Sequence, residues 1–197
     1  MVIGVPARQL RVPLVLASAS PRRLALLGSA GITPAVAPTD VDERARPGEL
    51  PAALASRLAG AKADAAAPRH AGACVLAADT VVAIGADCLG KAATPAEARA
   101  MLERLAGRTH EVITAFALRL GAARRDRSVT TRVTFRALAA GDLDWYVTSG
   151  DWGGKAGAYA IQGGAAGFAE AIAGSYTSVV GLPLAEVLAD LEALDVL

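Results

Sequence analysis

The stretch CVLAADTVVAI, residues 74–84, decides the predicted fold because it joins a buried-strand pattern to a single carboxylate. Residues 74–78 form an apolar run of the length typical of a buried strand, and residues 80–84 continue extended. We predict that the buried strand ends at Asp79, where a carboxylate adds nothing to its stability. Ligands of open α/β sheets bind at strand carboxyl ends, so Asp79 is a candidate functional residue. The alternative is an aspartate that only forms a turn.

Strand and helix patterns alternate on both sides of this stretch. Further strands are predicted at residues 12–17, 35–36, 112–120, 129–135, 158–161 and 178–180. Helices are predicted from residue 21 to Gly28 or Gly31, and at 50–67, 95–105, 141–149, 165–173 and 183–194. A charged turn at 124–127 is expected to join two strands into a hairpin. This alternation, with one antiparallel insertion, predicts an α/β fold with a mixed sheet flanked by helices.

Length and composition limit the classes of protein to which the chain can belong. A chain of 197 residues suits one domain, residues 1–197, with residues 1–11 as a flexible N-terminal extension. Much of the 53% hydrophobic content is alanine, which predicts an aliphatic core with closely packed helices. The net charge of +1 argues against a nucleic-acid partner bound through bulk charge. Any anion site therefore has to be local.

Cysteine content and hydropathy together predict a cytoplasmic protein. Cys74 and Cys88 are too few for a disulfide framework or a zinc cluster, and reduced thiols are the default in that case. The sequence has no stretch that approaches the ~18 apolar residues of a membrane span. No membrane partner is expected.

The motif SASPRR, residues 18–23, has the features of an anion site at a helix N-terminus. It follows a predicted strand, and its proline suits the first helical position. Free backbone N–H groups, the Ser20 hydroxyl and the guanidinium groups of Arg22 and Arg23 would then face one anion. The alternative is that Ser20 is only a helix cap and that the arginines are solvated.

Loop carboxylates and glycine-flanked lysines are the other candidates for chemistry. Asp42 and Glu43 could join Asp79 around a divalent cation, because Mg²⁺ prefers one or two carboxylates together with phosphate oxygens and water. The alternative for the two loop residues is a solvated position. Lys91 and Lys155 lie beside glycines that allow close approach to a ligand. Neither lysine is followed by the Ser or Thr of a phosphate-binding P-loop.

Two common hydrolase motifs are missing from the sequence. Thr114 stands where the second histidine of an H-E-x-x-H zinc motif would follow His110, and no G-x-S-x-G motif occurs. We interpret His110 as a structural residue of a strand. Trp145, Tyr146 and Trp152 are spaced like a helix face that packs on the core, so all three are expected to be core residues.

With these residues in place, the sequence resembles the Maf proteins, a family of nucleoside triphosphate pyrophosphatases also known as septum formation factors. The resemblance extends from Leu14 to Leu188 and rests on many motifs in order. These motifs are LASASPRR (16–23), VDE (41–43), AKA (61–63), ADTVV (78–82), GK (90–91), HEVIT (110–114), GKAGAYAIQG (154–163) and VGLPL (180–184). So many motifs at the family spacing make the resemblance highly specific.

The resemblance implies hydrolysis of a nucleoside triphosphate between its α and β phosphates, with Mg²⁺ or a similar cation such as Mn²⁺. Asp79 would be the catalytic residue that activates water, and Asp79 and Glu43 would hold the metal. The residues implied or proposed to bind the substrate are Ser18, Ser20, Arg23, Glu43, Lys62, Lys91 and Lys155. Phosphoryl transfer depends mainly on positioning and charge stabilisation, which these groups can supply.

Three positions of the resemblance report base preference. Arg22, Thr80 and Gln162 match the branch of the family that acts on dTTP and UTP. A carboxamide such as that of Gln162 can offer both a donor and an acceptor to the O4 and N3–H edge of thymine or uracil. Ala92, Ala115 and Asp151 depart from the family pattern, which affects loop geometry and rate rather than the type of reaction.

The resemblance also implies an elongated mixed sheet in two lobes with a central cleft, similar to the inosine triphosphatase fold, and a homodimer. The implied role is removal of unwanted nucleotides, including modified pyrimidine nucleotides, with a link to arrest of cell division. The alternative function is a regulator of septum formation that binds nucleotide without turning it over. Carboxylates beside the phosphates favour turnover, because a sensor does not need them there.

Overall fold

The computed structural model describes residues 5–197, and its centre is one seven-stranded mixed sheet. The strands are β1 (Leu14–Leu16), β2 (Ala35–Val36), β3 (Cys74–Ile84), β4 (Asp87–Leu89), β5 (Thr109–Leu120), β6 (Ala123–Phe135) and β7 (Ala169–Ala173). Their order is β2-β1-β3-β5-β6-β7, and β4 pairs with β3 beside this path. β1 is parallel to β2 and β3, whereas the other pairings are antiparallel. The predicted α/β fold with a mixed sheet is confirmed.

The two halves of the sheet meet on β3. One edge of this strand pairs with β5 along 75–83, while the other edge pairs first with β1 and later with β4. Between these two neighbours, the outer edge at residues 77–81 opens a gap. The prediction that the buried strand ends at Asp79 is wrong, because Asp79 pairs with Ala115 of β5 and the ladder continues on both sides.

Helices cover both faces of the sheet. They are α1 (Pro21–Ser29), α2 (Pro51–Ala66), α3 (Pro95–Leu105), α4 (Ala140–Ser149), α5 (Tyr176–Val180) and α6 (Leu184–Ala193), with 3₁₀ turns at Ala67–Arg69 and Gly164–Phe168. α2 packs on one face through small residues such as Ala59 and Ala63. α1 and α6 pack on the opposite face through Leu27 and Leu191. The alanine content thus serves close helix-to-sheet packing, as expected.

A separate core fills the lobe beyond the gap, where α3 and α4 pack against the ends of β5 and β6. Tyr146 and Phe168 are buried there with their ring centroids 5.3 Å apart. The expectation that Trp145, Tyr146 and Trp152 are all core residues is only partly right. Trp152 is partly buried, whereas Trp145 is 58% exposed because it lies on the outer face of α4.

The β5–β6 hairpin is longer than predicted. Leu120 pairs with Ala123, so the turn consists of Gly121 and Ala122, and the predicted turn at 124–127 lies inside β6. Gly121 has a φ of +56°, a conformation that two-residue hairpin turns require and that glycine adopts without strain. The charged residues 124–127 are mostly exposed strand positions rather than a loop.

Three elements predicted near the C-terminus differ from the structure. Residues 158–161 do not form a strand: Ala158 and Ile161 lie in turns, and Ala158 adopts a positive φ of 57° that interrupts extended backbone. The predicted helix at 165–173 is instead a 3₁₀ turn followed by β7, which pairs with β6. The predicted strand at 178–180 is the end of α5, because the Ser175 side chain accepts from the Ser178 N–H and caps the helix.

The N-terminal segment contacts the body of the protein in its described part. Residues 1–4 of the expected extension at 1–11 lie outside the described residues. Arg8 N donates to Gly31 O at 2.8 Å, and Arg11 N donates to Val196 O at 2.9 Å. Among the helices of residues 5–197, none is long and apolar enough to cross a membrane.

Candidate active site

The gap beside β3 opens into a cavity of about 520 Å³. Apart from Asp42, the residues singled out for the site line this cavity: Ser18, Ser20, Arg22, Arg23, Glu43, Lys62, Asp79, Thr80, Lys91, Lys155 and Gln162. Five of these side chains are cationic and two are carboxylates, in a chain whose net charge is only +1. This local excess of positive charge has the features of an anion site and suits a polyphosphate.

The two arginines of α1 are anchored on the C-terminal end of α5. Arg23 Nε donates to Gly181 O at 2.8 Å, and Arg22 Nε donates to Val180 O at 3.3 Å. Carbonyls at a helix end lack partners within the helix, and the helix dipole is negative there, so guanidinium groups bind well. The alternative in which both arginines are simply solvated is wrong.

The serines of the motif lie beside these arginines. Arg23 Nη1 donates to Ser18 Oγ at 3.0 Å, and the Ser20 backbone N–H donates to the same oxygen at 3.2 Å. Ser20 precedes α1, but its side chain makes no capping hydrogen bond. The alternative of a simple helix cap is therefore wrong for Ser20, which lines the cavity at the helix N-terminus.

Lys62 joins the two carboxylates of the cavity. Its Nζ lies 2.6 Å from Asp79 Oδ1 and 2.5 Å from Glu43 Oε1. Glu43 also accepts from Lys91 Nζ at 3.2 Å. Asp42, by contrast, pairs with Arg44 at the surface, which confirms the solvated alternative for Asp42 but not for Glu43. One ammonium thus holds both acidic groups, one from β3 and one from the loop before α2.

Neighbouring residues of β3 serve opposite faces of the sheet. Asp79 contacts Lys62 of α2, whereas Thr80 accepts a hydrogen bond from Arg23 of α1 at 3.3 Å. This follows from the two-residue period of a strand, in which successive side chains point to opposite sides. Because the outer edge of β3 is open at these positions, both side chains remain accessible from the one cavity.

Burial and charge shift the pKa values of the site in a consistent way. Burial lowers the pKa of Arg23 to about 10, although Asp79 opposes this shift. Burial alone would raise the pKa of Glu43, but Lys62 and Lys91 lower it to below its ordinary value. At neutral pH the guanidinium is therefore protonated and the Glu43 carboxylate is ionised, as phosphate and cation binding require.

Lys155 is positioned by the loop that also carries Gln162. Lys155 Nζ lies 3.4 Å from Asp151 Oδ1 and donates to Gly153 O at 3.2 Å. The other oxygen of Asp151 accepts from the Gly164 N–H at 3.2 Å. Asp151 thus ties both ends of the segment together, so the departure from the family pattern at this position leaves the loop supported.

The two carboxylates, Asp79 and Glu43, suit a hard divalent cation that takes its remaining ligands from phosphate and water. Asp79 and Glu43 share the Lys62 ammonium, which is the arrangement of two acids around one positive charge. Within residues 5–197 there is no group of three or more His, Cys, Asp or Glu side chains suited to a metal. Mg²⁺ and Mn²⁺ accept this donor set when phosphate and water oxygens complete it, whereas a structural zinc site does not.

Several lining residues were not singled out from the sequence. Tyr159, Val82 and Val179 form an apolar part of the wall, and Thr39 adds a hydroxyl. These residues cannot be recognised from the sequence, because apolar residues beside polar motifs are just as typical of the protein core. The most informative miss is Thr114, a fully buried residue of β5 that bonds directly to Thr80.

His110 is buried next to the cavity wall and should make the protein sensitive to mild acid. Its Nε2 lies 2.9 Å from Tyr159 Oη, and burial lowers the pKa of His110 to about 4. An unfolded histidine titrates near 6.5, so protons bind the unfolded chain first and stability falls as pH drops from about 6.5 to 4. At pH 4.5 we expect a loss of about 2–3 kcal/mol from this residue relative to pH 7.

Urea unfolding at both pH values measures this loss, with His110→Gln as the comparison. Glutamine can keep a hydrogen bond to Tyr159 but does not titrate, so its stability should fall less between pH 7 and pH 4.5. Equal losses in both proteins would show that His110 does not carry the effect.

The chain is similar to known proteins over most of its length. Residues 13–194 match the family described as Maf-like protein. A relative from Hyphomonas neptunium is 54% identical over 184 residues, 92% of this chain and 95% of the relative. Relatives from Myxococcus xanthus and Gluconobacter oxydans are each 52% identical, over 91% and 93% of this chain and 91% and 86% of their own. All three are named dTTP/UTP pyrophosphatase. The chain therefore belongs to the Maf-like protein family.

Proposed function

We propose that this protein is a nucleoside triphosphate pyrophosphatase that hydrolyses dTTP and UTP to the nucleoside monophosphate and pyrophosphate. The observation that carries this proposal is the cationic cavity built around the Asp79–Lys62–Glu43 cluster. The names of relatives that are 52–54% identical over most of their length support the same reaction and the same bases.

The cationic groups hold the phosphate chain. Arg23, the N-terminus of α1, Lys91 and Lys155 surround the cavity and can pair with phosphate oxygens. Lys62 neutralises the negative charge that grows on the phosphate oxygens as the bond breaks. Fixed positive groups of this kind are worth more in a partly water-excluded cleft than in bulk water.

Asp79 activates the attacking water. Its Oδ1 is engaged by Lys62, so we assign proton acceptance to Oδ2. Water oxygen bonds to the α-phosphorus while the bond from that phosphorus to the α,β-bridging oxygen breaks. The electron pair of the broken bond leaves with pyrophosphate, and the water proton passes to Asp79 and then to solvent. A bound Mg²⁺ or Mn²⁺ held by Asp79 and Glu43 would supply charge neutralisation for the phosphates.

The base is read by Gln162, Thr80 and Arg22. All three line the cavity with the phosphate-binding groups. The NH₂ group of the Gln162 carboxamide can donate to O4 of uracil or thymine. Other bases bind more weakly, because they leave these polar groups without hydrogen-bond partners.

The remaining parts of the proposal concern location and assembly. A cytoplasmic location is supported by Cys74 and Cys88, which are free thiols and suit a reducing compartment. A homodimer remains part of the proposal and is testable by light scattering of the purified protein. The nucleotide is the partner that the cavity chemistry suits.

Pyrophosphate release from a panel of nucleoside triphosphates with Mg²⁺ tests the proposal. We expect many turnovers per protein with dTTP and UTP and at least tenfold lower kcat/KM with CTP, ATP and GTP. Reaction in ¹⁸O-labelled water should place the label in the monophosphate, because attack is at the α-phosphorus. Binding of nucleotide without turnover would overturn the enzymatic proposal and favour the non-catalytic regulator.

A further inference from the structure

We infer that Thr114, buried behind the cavity, fixes the direction of the Thr80 hydroxyl so that it can only accept a hydrogen bond from the bound base. Thr114 is thus a positioning residue for base selection. The inference rests on the proposed function, in which the cavity binds a pyrimidine nucleotide and Thr80 is one of the residues that read its base.

A short chain of hydrogen bonds carries the inference. Thr80 and Thr114 are directly opposed on β3 and β5, and their Oγ1 atoms lie 2.9 Å apart. Thr114 Oγ1 also lies 2.8 Å from Ser178 O, a carbonyl of α5. At the other end of the chain, Arg23 Nη2 lies 3.3 Å from Thr80 Oγ1.

The chemistry of the end groups sets the direction of every bond in this chain. The Ser178 carbonyl can only accept, so the single proton of the Thr114 hydroxyl is donated to it. Thr114 has no second proton, so Thr80 has to donate its own proton to Thr114. Arg23 can only donate, which agrees with the same direction. Thr80 therefore has no proton left for a ligand and keeps one lone pair.

Burial makes this arrangement stable. Thr114 is 0% exposed, so water cannot replace either of its hydrogen bonds. Losing the bond to the Ser178 carbonyl would leave a buried polar group unpaired, which costs more than the bond itself contributes. Thr80, in contrast, lines the cavity and is accessible to a ligand. The fixed hydroxyl thus presents a permanent acceptor to the site.

A permanent acceptor discriminates between pyrimidines. Uracil and thymine carry a proton on N3 and can donate it, whereas N3 of cytosine carries a lone pair and would face the lone pair of Thr80. A freely rotating hydroxyl could donate to cytosine as easily as it accepts from uracil. The orientation imposed by Thr114 is what turns a hydroxyl that serves either base into one that serves only N3–H bases.

Binding of noncleavable α,β-methylene triphosphates tests the inference without depending on turnover. We would measure Kd for the uridine and cytidine analogues with wild type, Thr114→Val and Thr114→Ser. Valine removes the hydroxyl at similar volume, and serine keeps it. We expect the preference for uridine over cytidine to fall roughly tenfold in Thr114→Val, mainly through tighter cytidine binding, and to persist in Thr114→Ser. A preference in Thr114→Val within twofold of wild type would overturn the inference.

Wild-type protein provides a second test in case Thr114→Val does not fold. The analogue of 3-methyluridine lacks the N3 proton, whereas that of 5-methyluridine carries an equal methyl group but keeps the proton. We expect at least tenfold weaker binding of the former only. Equal binding of both would refute the acceptor role of Thr80. Selective binding without any turnover would contradict the pyrophosphatase proposal and still support this inference.

Discussion

Replacing Asp79 with asparagine should lower kcat for dTTP hydrolysis by roughly 10²–10⁴-fold, the usual contribution of a general base. The amide has nearly the same shape but cannot accept a proton from water at neutral pH. The fold should persist, because the amide oxygen can still accept from Lys62, which also retains Glu43. Steady-state release of pyrophosphate measures the rate, and urea unfolding measures the stability.

Asp42→Asn is the matched control for this variant. Asp42 is a surface carboxylate next to Glu43 in the chain. It pairs with Arg44 and does not line the cavity. Its substitution should leave kcat within about twofold of wild type. If Asp79→Asn kept more than a tenth of wild-type kcat, another group would have to be the base.

Replacing Lys62 with methionine should damage both catalysis and stability. Methionine fills similar space but leaves the Asp79 and Glu43 carboxylates close together without their shared cation. Breaking a buried ion pair by removing one partner costs about 3–5 kcal/mol, and since Glu43 is half-exposed we expect about 2–4 kcal/mol here. We also expect kcat to fall about 10²-fold or more, because the developing phosphate charge loses a fixed cation.

Lys91→Met is the comparison for the stability effect of Lys62→Met. Lys91 contacts only Glu43 within this cluster, and its side chain is 59% exposed, so its loss should change stability by less than about 1 kcal/mol. Addition of Mg²⁺ or Mn²⁺ should raise the stability of Lys62→Met more than that of wild type, because the cation can take the position that the ammonium leaves.

Unfolding of Lys62→Met at the same urea concentration as wild type would show that the two carboxylates do not depend on this lysine.

More of the candidate site than of the fold could be predicted from the sequence. Asp79 stands out because a charge in an apolar run has no structural reason, and SASPRR stands out because serine, proline and arginine each have a role at a helix start. Family motifs extended this to Lys62 and Gln162. The structure brings all of these residues to one cavity.

The elements that could not be predicted depend on tertiary contacts. Residues 178–180 are rich in valine and read as a strand, but the Ser175 cap and the positive φ of Gly181 make them the end of a short helix. Residues 169–173 contain good helix formers, yet pairing with β6 makes them a strand. Local propensity is weak in such short segments, so packing decides.

The role that we infer for Thr114 could not be predicted from the sequence either, because it depends on contacts between single atoms of distant residues. Thr114 ends the HEVIT motif of the resemblance, but nothing in that motif indicates that it bonds to Thr80 and the Ser178 carbonyl. That role depends on the register between β3 and β5 and on where α5 ends. Neither is visible in the local sequence.

The continuity of β3 through the gap determines how the cleft can move. The two lobes are joined by the uninterrupted strands β3 and β5, which are paired with each other along the whole floor of the cleft. A hinge in a flexible loop could change the cleft width at little cost, whereas here any opening has to bend a hydrogen-bonded ribbon. The width of the cleft is therefore set by the stiffness of two paired strands rather than by a loop, and the cleft keeps that width before any ligand arrives.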